Sequence, residues 1–187
     1  MKKIVLFASG SGTNVENIAR YFQDSKTIKV QAVFCNNPKA LVLEKAKQLN
    51  IPTFVFSKEQ LYSEIVLNKI QEYQPDLIVL AGFLLQLPIA IINKFPLIIN
   101  IHPALLPKYG GKGMYGMNVH RAVLANNEPD TGITIHYVTE NYDERKYIFQ
   151  EKVAITDCNT PEEIAQKIHQ LEQKYFPKVI EQLLENQ

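Results

Sequence analysis

The sequence predicts a doubly wound α/β fold, in which flanking helices cover a mostly parallel sheet and a long helix ends the chain. Short continuous apolar runs are typical of strands that are buried on both faces of a parallel sheet. Segments with helical spacing of apolar residues lie between these runs, and the alternation of the two patterns predicts βαβ units. The length of 187 residues suits a single domain, 1–187, with a core that needs no disulfides.

The N-terminal half carries the clearest alternation. Continuous apolar runs predict strands over 4–8, 30–34, 53–56, 77–80 and 97–101. The spacing of apolar residues predicts helices over 15–21, 40–49 and 58–73. Turn-forming residues, such as Pro75 and Asp76, separate these segments.

The pattern changes in the C-terminal half. Beyond a glycine-rich loop, it predicts a helix over 119–125 and strands over 131–138 and 148–155. A long amphipathic helix is predicted over 160–185. Thr160 can cap this helix, Pro161 suits its first turn, and Glu163 completes a capping box. Pro177 is expected to kink it.

Composition argues against several classes of protein. The 20 Lys and Arg residues nearly balance the 19 Asp and Glu residues, so nucleic-acid binding through phosphate neutralisation is not expected. The apolar runs are far shorter than the roughly 20 residues that span a membrane. Cys35 and Cys158 form neither a disulfide framework nor a metal-binding spacing, so no metal is expected. The N-terminal apolar run stops at Gly10 and suits a buried strand better than a signal peptide, which predicts a cytoplasmic location.

A glycine-containing loop, Ser9–Asn14, follows the first predicted strand and opens the first helix. Backbone N–H groups at a helix N-terminus attract anions, and glycines let the backbone approach a phosphate closely. The lysine of the Walker A motif is missing, and Val15 replaces the third glycine of the dinucleotide fingerprint. A single phosphate therefore fits better than a pyrophosphate. The alternative is a turn that Thr13 or Asn14 caps without any ligand.

Asn100 and His102 lie at the carboxyl end of an apolar strand, where open α/β sheets bind ligands. Residues two positions apart in a strand point to the same side, and Pro103 favours an extended His102. An amide donor and a titratable imidazole aimed at one point suit the polarisation of a carbonyl group and the stabilisation of its oxyanion. The alternative is a histidine that only satisfies backbone groups at the strand end.

Asp143 lies in a polar loop between two predicted strands. A carboxylate beside His102 would orient its ring and stabilise its protonated form. The spacing in sequence does not show that the two residues meet, and on the residues alone a solvated acidic turn is the favoured explanation of Asp143. The apolar segment 84–87 follows the strand over 77–80, and it could belong to the core or line a pocket for a flat ring.

The remaining histidines are expected to have structural roles. His136, on an alternating strand, is expected to pack against a neighbour, and His120 and His169 are expected on helix surfaces. His169 lies one helical turn before Glu172.

Taken together, these segments resemble the folate-dependent formyltransferase family, in particular its glycinamide ribonucleotide formyltransferases. The resemblance spans nearly the whole chain. It rests on motifs that occur in the family's order: SGSGTN over 9–14, LAGF over 80–83, NIHPALLP over 100–107, GITIHYV over 132–138, and Tyr142-Asp143. The motif over 100–107 is shared with other formyl-folate enzymes, whereas the glycine loop is the more selective feature.

The resemblance implies a formyltransferase-like variant of the Rossmann fold and roles for named residues. Asn100, His102 and Asp143 would be catalytic, whereas Gly12, Thr13 and Asn14 would bind the substrate phosphate. Glu172 would face the amine side of that substrate. Folate would contact Leu84, Leu85, Gln86, Leu87, Tyr142 and, by a looser match, Lys58. About 1–100 would form the phosphate-binding half, and about 101–187 the folate-binding and catalytic half.

The resemblance further implies transfer of a formyl group from 10-formyltetrahydrofolate, as co-substrate, to glycinamide ribonucleotide in purine biosynthesis. No metal, nucleic acid or membrane is expected as a partner, and the protein is expected to be a monomer or a weak homodimer. Hydrolysis of the same folate and formylation of another amine are the alternatives. One departure from the family is Glu144-Arg145-Lys146, which replaces a glycine-containing turn after Asp143.

Overall fold

The computed structural model describes residues 1–95, 97–139 and 146–186. The strands in these ranges are β1 (Lys2–Ala8), β2 (Ile28–Cys35), β3 (Thr53–Val55), β4 (Leu77–Leu80), β5 (Ile98–His102), β6 (Asp130–Tyr137) and β7 (Tyr147–Ala154). The helices are α1 (Thr13–Tyr21), α2 (Leu41–Gln48), α3 (Lys58–Leu61), α4 (Glu64–Tyr73), α5 (Ile89–Lys94), α6 (Met117–Ala125) and α7 (Pro161–Glu185).

The described strands form one sheet in the order β3-β2-β1-β4-β5-β6-β7. Strands β1 to β5 pair in parallel, whereas β6 is antiparallel to β5 and β7 is antiparallel to β6. The mostly parallel sheet predicted from the sequence is confirmed. The strand order reverses at β1, which lies between β2 and β4, and such a reversal leaves a crevice beyond the carboxyl ends of the strands.

Helices cover both faces of the sheet, as the continuous apolar strands predicted. Alternate residues of β1 belong to separate core clusters, since side chains alternate between the faces of a strand. Ile4 and Leu6 are buried in a cluster with residues of α1, α2, α6 and α7, whereas Val5 and Phe7 are buried in a cluster with residues of α3, α4 and α5. Every strand that approaches the crevice is therefore held from both sides.

Two helices differ from the sequence prediction. The helix predicted over 58–73 is wrong, because the segment forms α3 and α4 with a break between them. Ser57 caps α3 through the N–H of Gln60, and Ser63 caps α4 through the N–H of Ile65, so each serine starts its own helix. The short helix α5 was not predicted, because its six residues are too few for a clear helical period.

The long C-terminal helix has the predicted start. Thr160 and Glu163 form both bonds of a capping box, and Pro161 occupies the first turn. The helix continues through Pro177 to Glu185. Within the described part of the chain, no helix combines the length and the hydropathy needed to cross a membrane.

Candidate active site

A cavity of about 1100 Å³ opens beyond the carboxyl ends of β1, β4 and β5. Its lining includes Gly10–Asn14 after β1, Ala81–Leu87 after β4, and Asn100–Pro103 at the end of β5. Residues of α6 and α7 close one side. The volume is slightly larger than the roughly 300–1,000 Å³ that is usual for a pocket with one ligand, which leaves room for two substrates side by side. Both halves of the chain contribute to the lining.

Gly12 sets the geometry of the loop that precedes α1. Its φ of 70° lies in the left-handed region, and a Cβ at this position would stand 2.5 Å from Cγ2 of Val42. Gly12 is the N-cap residue of α1, where no side-chain bond caps the helix. The alternative of a turn that the side chain of Thr13 or Asn14 caps is therefore not the arrangement found. The first N–H groups of α1 have no acceptor within the helix, and Gly12, Thr13 and Asn14 at this end of the helix line the cavity.

Asn14 and Glu172 connect the first helix with the last. Nδ2 of Asn14 donates to Oε2 of Glu172 at 3.1 Å, and Glu172 is buried, with 7% of its surface exposed. Oδ1 of Asn14 is buried and has no hydrogen-bond partner among the described residues. The predicted phosphate residues and the predicted amine-side acid thus lie at one end of the cavity. A buried acceptor without a partner is costly, and a donor from a ligand would satisfy it.

His169 and His120 flank this pair. Nδ1 of His169 lies 3.2 Å from Oε2 of Glu172, and this hydrogen bond raises the pKa of His169, which is on the helix surface as predicted. The surface position predicted for His120 is wrong, because only 4% of this residue is exposed. Burial lowers the pKa of His120, with a smaller contribution from the nearby His169. His120 is buried because α6 packs against α7, a contact that the local pattern does not reveal.

Asn100 is held by a histidine on the neighbouring strand. The register pairs Asn100 with His136, and their Nδ2 and Nε2 atoms are 3.3 Å apart. Nδ1 of His136 lies 2.9 Å from the carbonyl oxygen of Tyr137, which can only accept, so this nitrogen carries the proton. Nε2 is then the acceptor for the amide of Asn100. His136 is packed as predicted, but its bond to Asn100 was not foreseen.

His102 lies on the same face of β5 as Asn100, and both residues line the cavity. Nε2 of His102 is 2.7 Å from the carbonyl oxygen of Tyr109. A carbonyl oxygen only accepts, so Nε2 is the donor in this bond. The predicted pair therefore lies together at the cavity wall, and each member has a defined orientation.

The predicted folate residues occupy another part of the cavity wall. Leu84, Leu85, Gln86 and Leu87 all line it, and Leu87 also belongs to the core. Oγ of Ser9 accepts from the N–H of Leu84 at 2.9 Å and thereby fixes the start of this segment. Lys58 is exposed at the start of α3 and is not among the described residues that line the cavity. Asp143 and Tyr142 lie outside the described residues.

The comparisons with known proteins agree with this fold and name its family. A family model described as formyl transferase matches residues 2–180, so the chain belongs to the formyl transferase family. The resemblance found in the sequence is thereby confirmed.

Particular relatives are named more narrowly. The chain is 34% identical to the phosphoribosylglycinamide formyltransferase of Bacillus subtilis (strain 168), over 98% of this chain and 95% of the relative. It is 35% identical to the chloroplastic phosphoribosylglycinamide formyltransferase of Arabidopsis thaliana, over 96% of this chain but only 64% of that relative. The crystal structure of glycinamide ribonucleotide transformylase 1 from Geobacillus kaustophilus superposes with a TM-score of 0.89 at 33% identity. That match covers 98% of this chain and 99% of the other.

Proposed function

We propose that the protein transfers the formyl group of 10-formyltetrahydrofolate to the amine of glycinamide ribonucleotide in purine biosynthesis. One observation carries the proposal: Asn100 and His102 share a cavity with the N-terminus of α1. A carbonyl-polarising pair and a phosphate-binding end in one cavity suit a formyl acceptor that is also a phosphate ester. The names of the relatives supply the identity of that acceptor.

The phosphate of the acceptor would bind at Gly12, Thr13 and Asn14. Backbone N–H groups of the first turn and the positive end of the helix favour an anion there. Glu172 lies beside Asn14 and would accept hydrogen bonds from polar groups of the same substrate. The buried Oδ1 of Asn14, which has no partner among the described residues, could accept a further hydrogen bond from an N–H or O–H group of that substrate.

The formyl donor would lie along Leu84, Leu85, Gln86 and Leu87. Leucine side chains give a flat ring an apolar wall, and the backbone of such a segment offers donors and acceptors to its polar edge. Tyr142 and Lys58 remain proposals for folate contacts. Lys58 would have to act outside the cavity, on an extended part of the ligand.

The residues of β5 would stabilise the addition step. The substrate amine attacks the formyl carbon, a C–N bond forms, and the carbonyl electron pair moves to oxygen. The amide of Asn100 donates to that oxyanion. His102 in its protonated form donates from Nδ1, because its Nε2–H is held by the carbonyl of Tyr109. Collapse of the intermediate breaks the bond between the formyl carbon and the folate nitrogen. The proton lost by the amine passes to this leaving nitrogen, by way of a water molecule that Asp143 would hold.

The experiment is a spectroscopic assay of folate release from 10-formyltetrahydrofolate, with and without glycinamide ribonucleotide. Release that requires the ribonucleotide supports the proposal. Release at the same rate without it would show a hydrolase instead, and release with a different amine would show another formyltransferase. Size-exclusion chromatography tests the proposed monomer or weak homodimer, and the expected location is the cytoplasm.

Variants assign the chemistry to residues. Removal of one oxyanion donor costs about 10²–10³ in turnover, so Asn100→Ala should lose that much. His102→Ala should lose about 10²–10⁴, as is typical for a positioned acid–base group. Both variants should unfold at temperatures close to that of the parent. Nearly normal turnover in both would contradict the proposed site.

A further inference from the structure

The loop that follows β5 returns to His102 at Tyr109. The carbonyl oxygen of Tyr109 accepts from Nε2 of His102 at 2.7 Å, which is a short bond. The bond requires a proton on Nε2, and it fixes the plane of the imidazole ring. Tyr109 itself is not among the described residues that line the cavity.

The backbone of Tyr109 is in a conformation that needs support. Its φ is 56°, in the left-handed region that a bulky residue rarely adopts and that costs on the order of 1 kcal/mol. The phenol of Tyr109 donates to Oε1 of Glu128 at 2.8 Å. Burial and this bond to Glu128 raise the pKa of Tyr109 to about 12, so the phenol stays protonated and remains a donor. The bond to Glu128 offsets the cost of the left-handed backbone.

Glu128 lies on a short connection that is itself fixed. It stands between the end of α6 and the start of β6, and β6 pairs with β5, where Thr134 faces His102. Oγ1 of Thr134 also accepts from the N–H of Leu106 at 3.0 Å, which anchors the first part of the loop. Hydrogen bonds therefore connect His102 to Tyr109 and Tyr109 to Glu128, which lies just before β6, the strand that pairs with β5.

We propose that Tyr109 and Glu128 are positioning residues for the transfer reaction. Glu128 holds the phenol of Tyr109, and the carbonyl of Tyr109 holds the ring of His102 with a proton on Nε2. This inference rests on the proposed function, because it assigns the role of His102 to a step of that reaction. Neither positioning residue needs to touch a substrate, so their loss should lower kcat and leave KM nearly unchanged.

The variants separate the bond from the residues that make it. Tyr109→Phe keeps the ring and the backbone carbonyl but loses the phenolic hydroxyl. Glu128→Ala removes the carboxylate that accepts from this hydroxyl. Each should lower kcat roughly tenfold, the size expected for one hydrogen bond, with KM for both substrates within about twofold. Glu128→Gln keeps an acceptor oxygen and should stay within about threefold of the parent in kcat. Glu128 also pairs with Nζ of Lys108 at 3.1 Å, a contact that Glu128→Ala removes and Tyr109→Phe leaves in place. The double variant should therefore lose no more than Glu128→Ala alone, because Tyr109→Phe removes no bond beyond the one already lost.

The chain contains a matched control. The phenol of Tyr21 donates to Oε2 of Glu181 at 2.7 Å, on exposed parts of α1 and α7. Tyr21→Phe therefore makes the same chemical change in a tyrosine–glutamate pair that joins α1 to α7 instead of holding the loop after β5. Its kcat should equal that of the parent. A fall in kcat for Tyr109→Phe no larger than that for Tyr21→Phe would overturn the inference.

A second readout does not depend on turnover. Long-range ¹H–¹⁵N spectra report which nitrogen of each histidine carries a proton, and the chain has only four histidines. The His102 signals, identified by their loss in His102→Asn, should show a protonated Nε2 in the parent and a lower Nε2–H population in Tyr109→Phe. An unprotonated Nε2 in the parent, or an unchanged spectrum in the variant, would overturn the inference. A parent protein with the expected spectrum but no transfer activity would instead count against the proposed function alone.

Discussion

The amide of Asn100 and the imidazole of His136 face each other across β5 and β6, with 3.3 Å between Nδ2 and Nε2. The bond from Nδ1 of His136 to the carbonyl of Tyr137 fixes the tautomer of the histidine. Nε2 of His136 is then the acceptor that orients the amide of Asn100. An amide that is held before the substrate arrives can stabilise an oxyanion without reorganisation. In the proposed reaction, His136 would therefore make Asn100 a more effective donor.

Replacement of His136 tests this relationship. In His136→Leu the amide of Asn100 loses its partner and gains freedom to rotate, so kcat should fall roughly tenfold with little change in KM. His136→Gln retains an oxygen that can accept from Asn100 and should recover part of the loss. Steady-state kinetics with both substrates measures the effect. Equal kcat values for His136→Leu and the parent would show that the bond is only structural.

Gly12→Ala should destabilise the protein. The added Cβ would meet Cγ2 of Val42 at 2.5 Å in a left-handed backbone, so a loss of about 1–3 kcal/mol in the free energy of unfolding is expected. Gly10→Ala is the matched control, because a Cβ there meets nothing within 4 Å. Urea unfolding of both variants provides the measurement. A Gly12→Ala variant as stable as Gly10→Ala would mean that the loop can relax away from Val42.

The contact between Asn14 and Glu172 should affect substrate binding more than chemistry. Glu172→Gln removes the charge that accepts from Asn14 and His169, and the KM for the ribonucleotide should rise about tenfold or more. The KM for the folate substrate should stay nearly constant. Glu181→Gln changes an exposed carboxylate on the same helix and should leave both KM values unaltered. A rise in the folate KM alone would contradict this assignment of the cavity end.

The stability of the protein should depend on pH through His120 and His169 in opposite senses. Burial lowers the pKa of His120 below its ordinary value of 6.5. Just below pH 6.5, the imidazole is therefore protonated in the unfolded chain but stays neutral in the folded chain. The contribution of His120 is therefore complete above pH 6.5 and is lost as the pH falls towards the lowered pKa. Glu172 raises the pKa of His169, whose contribution is complete below pH 6.5 and is lost as the pH rises through the raised value.

Asparagine variants separate the two histidines. The quantity to compare is the free energy of unfolding at about pH 7.5 minus that at about pH 5.5. It should be smaller in His120→Asn than in the parent, and the pH dependence that one imidazole contributes has a limiting slope of about 1.4 kcal/mol per pH unit. His169→Asn should increase the same difference, because it removes the histidine that favours the acidic side. Identical differences in all three proteins would show that neither imidazole is linked to folding in this range.

Local sequence rules located the residues of the candidate site well. The two-residue period of a strand and the restriction imposed by Pro103 were enough to place Asn100 and His102 on one face. Likewise, the glycines after a buried strand predicted the turn that starts α1, where Gly12 is the N-cap and lines the cavity. These features depend on a few neighbouring residues, which the sequence shows directly.

Features that depend on distant pairing were not predictable. The register of β5 against β6 decides that His136 meets Asn100, and no local pattern specifies that register. The burial of His120 depends on α7, and the strands β6 and β7 separate this helix from α6 in the sequence. The return of the loop to His102 depends on Glu128, whose partner Tyr109 is 19 residues away.

The bond between Asn14 and Glu172 joins residues that are 158 positions apart. During synthesis the N-terminal end of a chain leaves the ribosome first, so α1 emerges long before the helix that completes its contact. β5 can pair with β4 before α7 has been made, but the part of the cavity at Asn14 and Glu172 is complete only when α7 is in place. A nascent chain that extends through β6 can therefore place Asn100 against His136 before α7 brings Glu172 to Asn14.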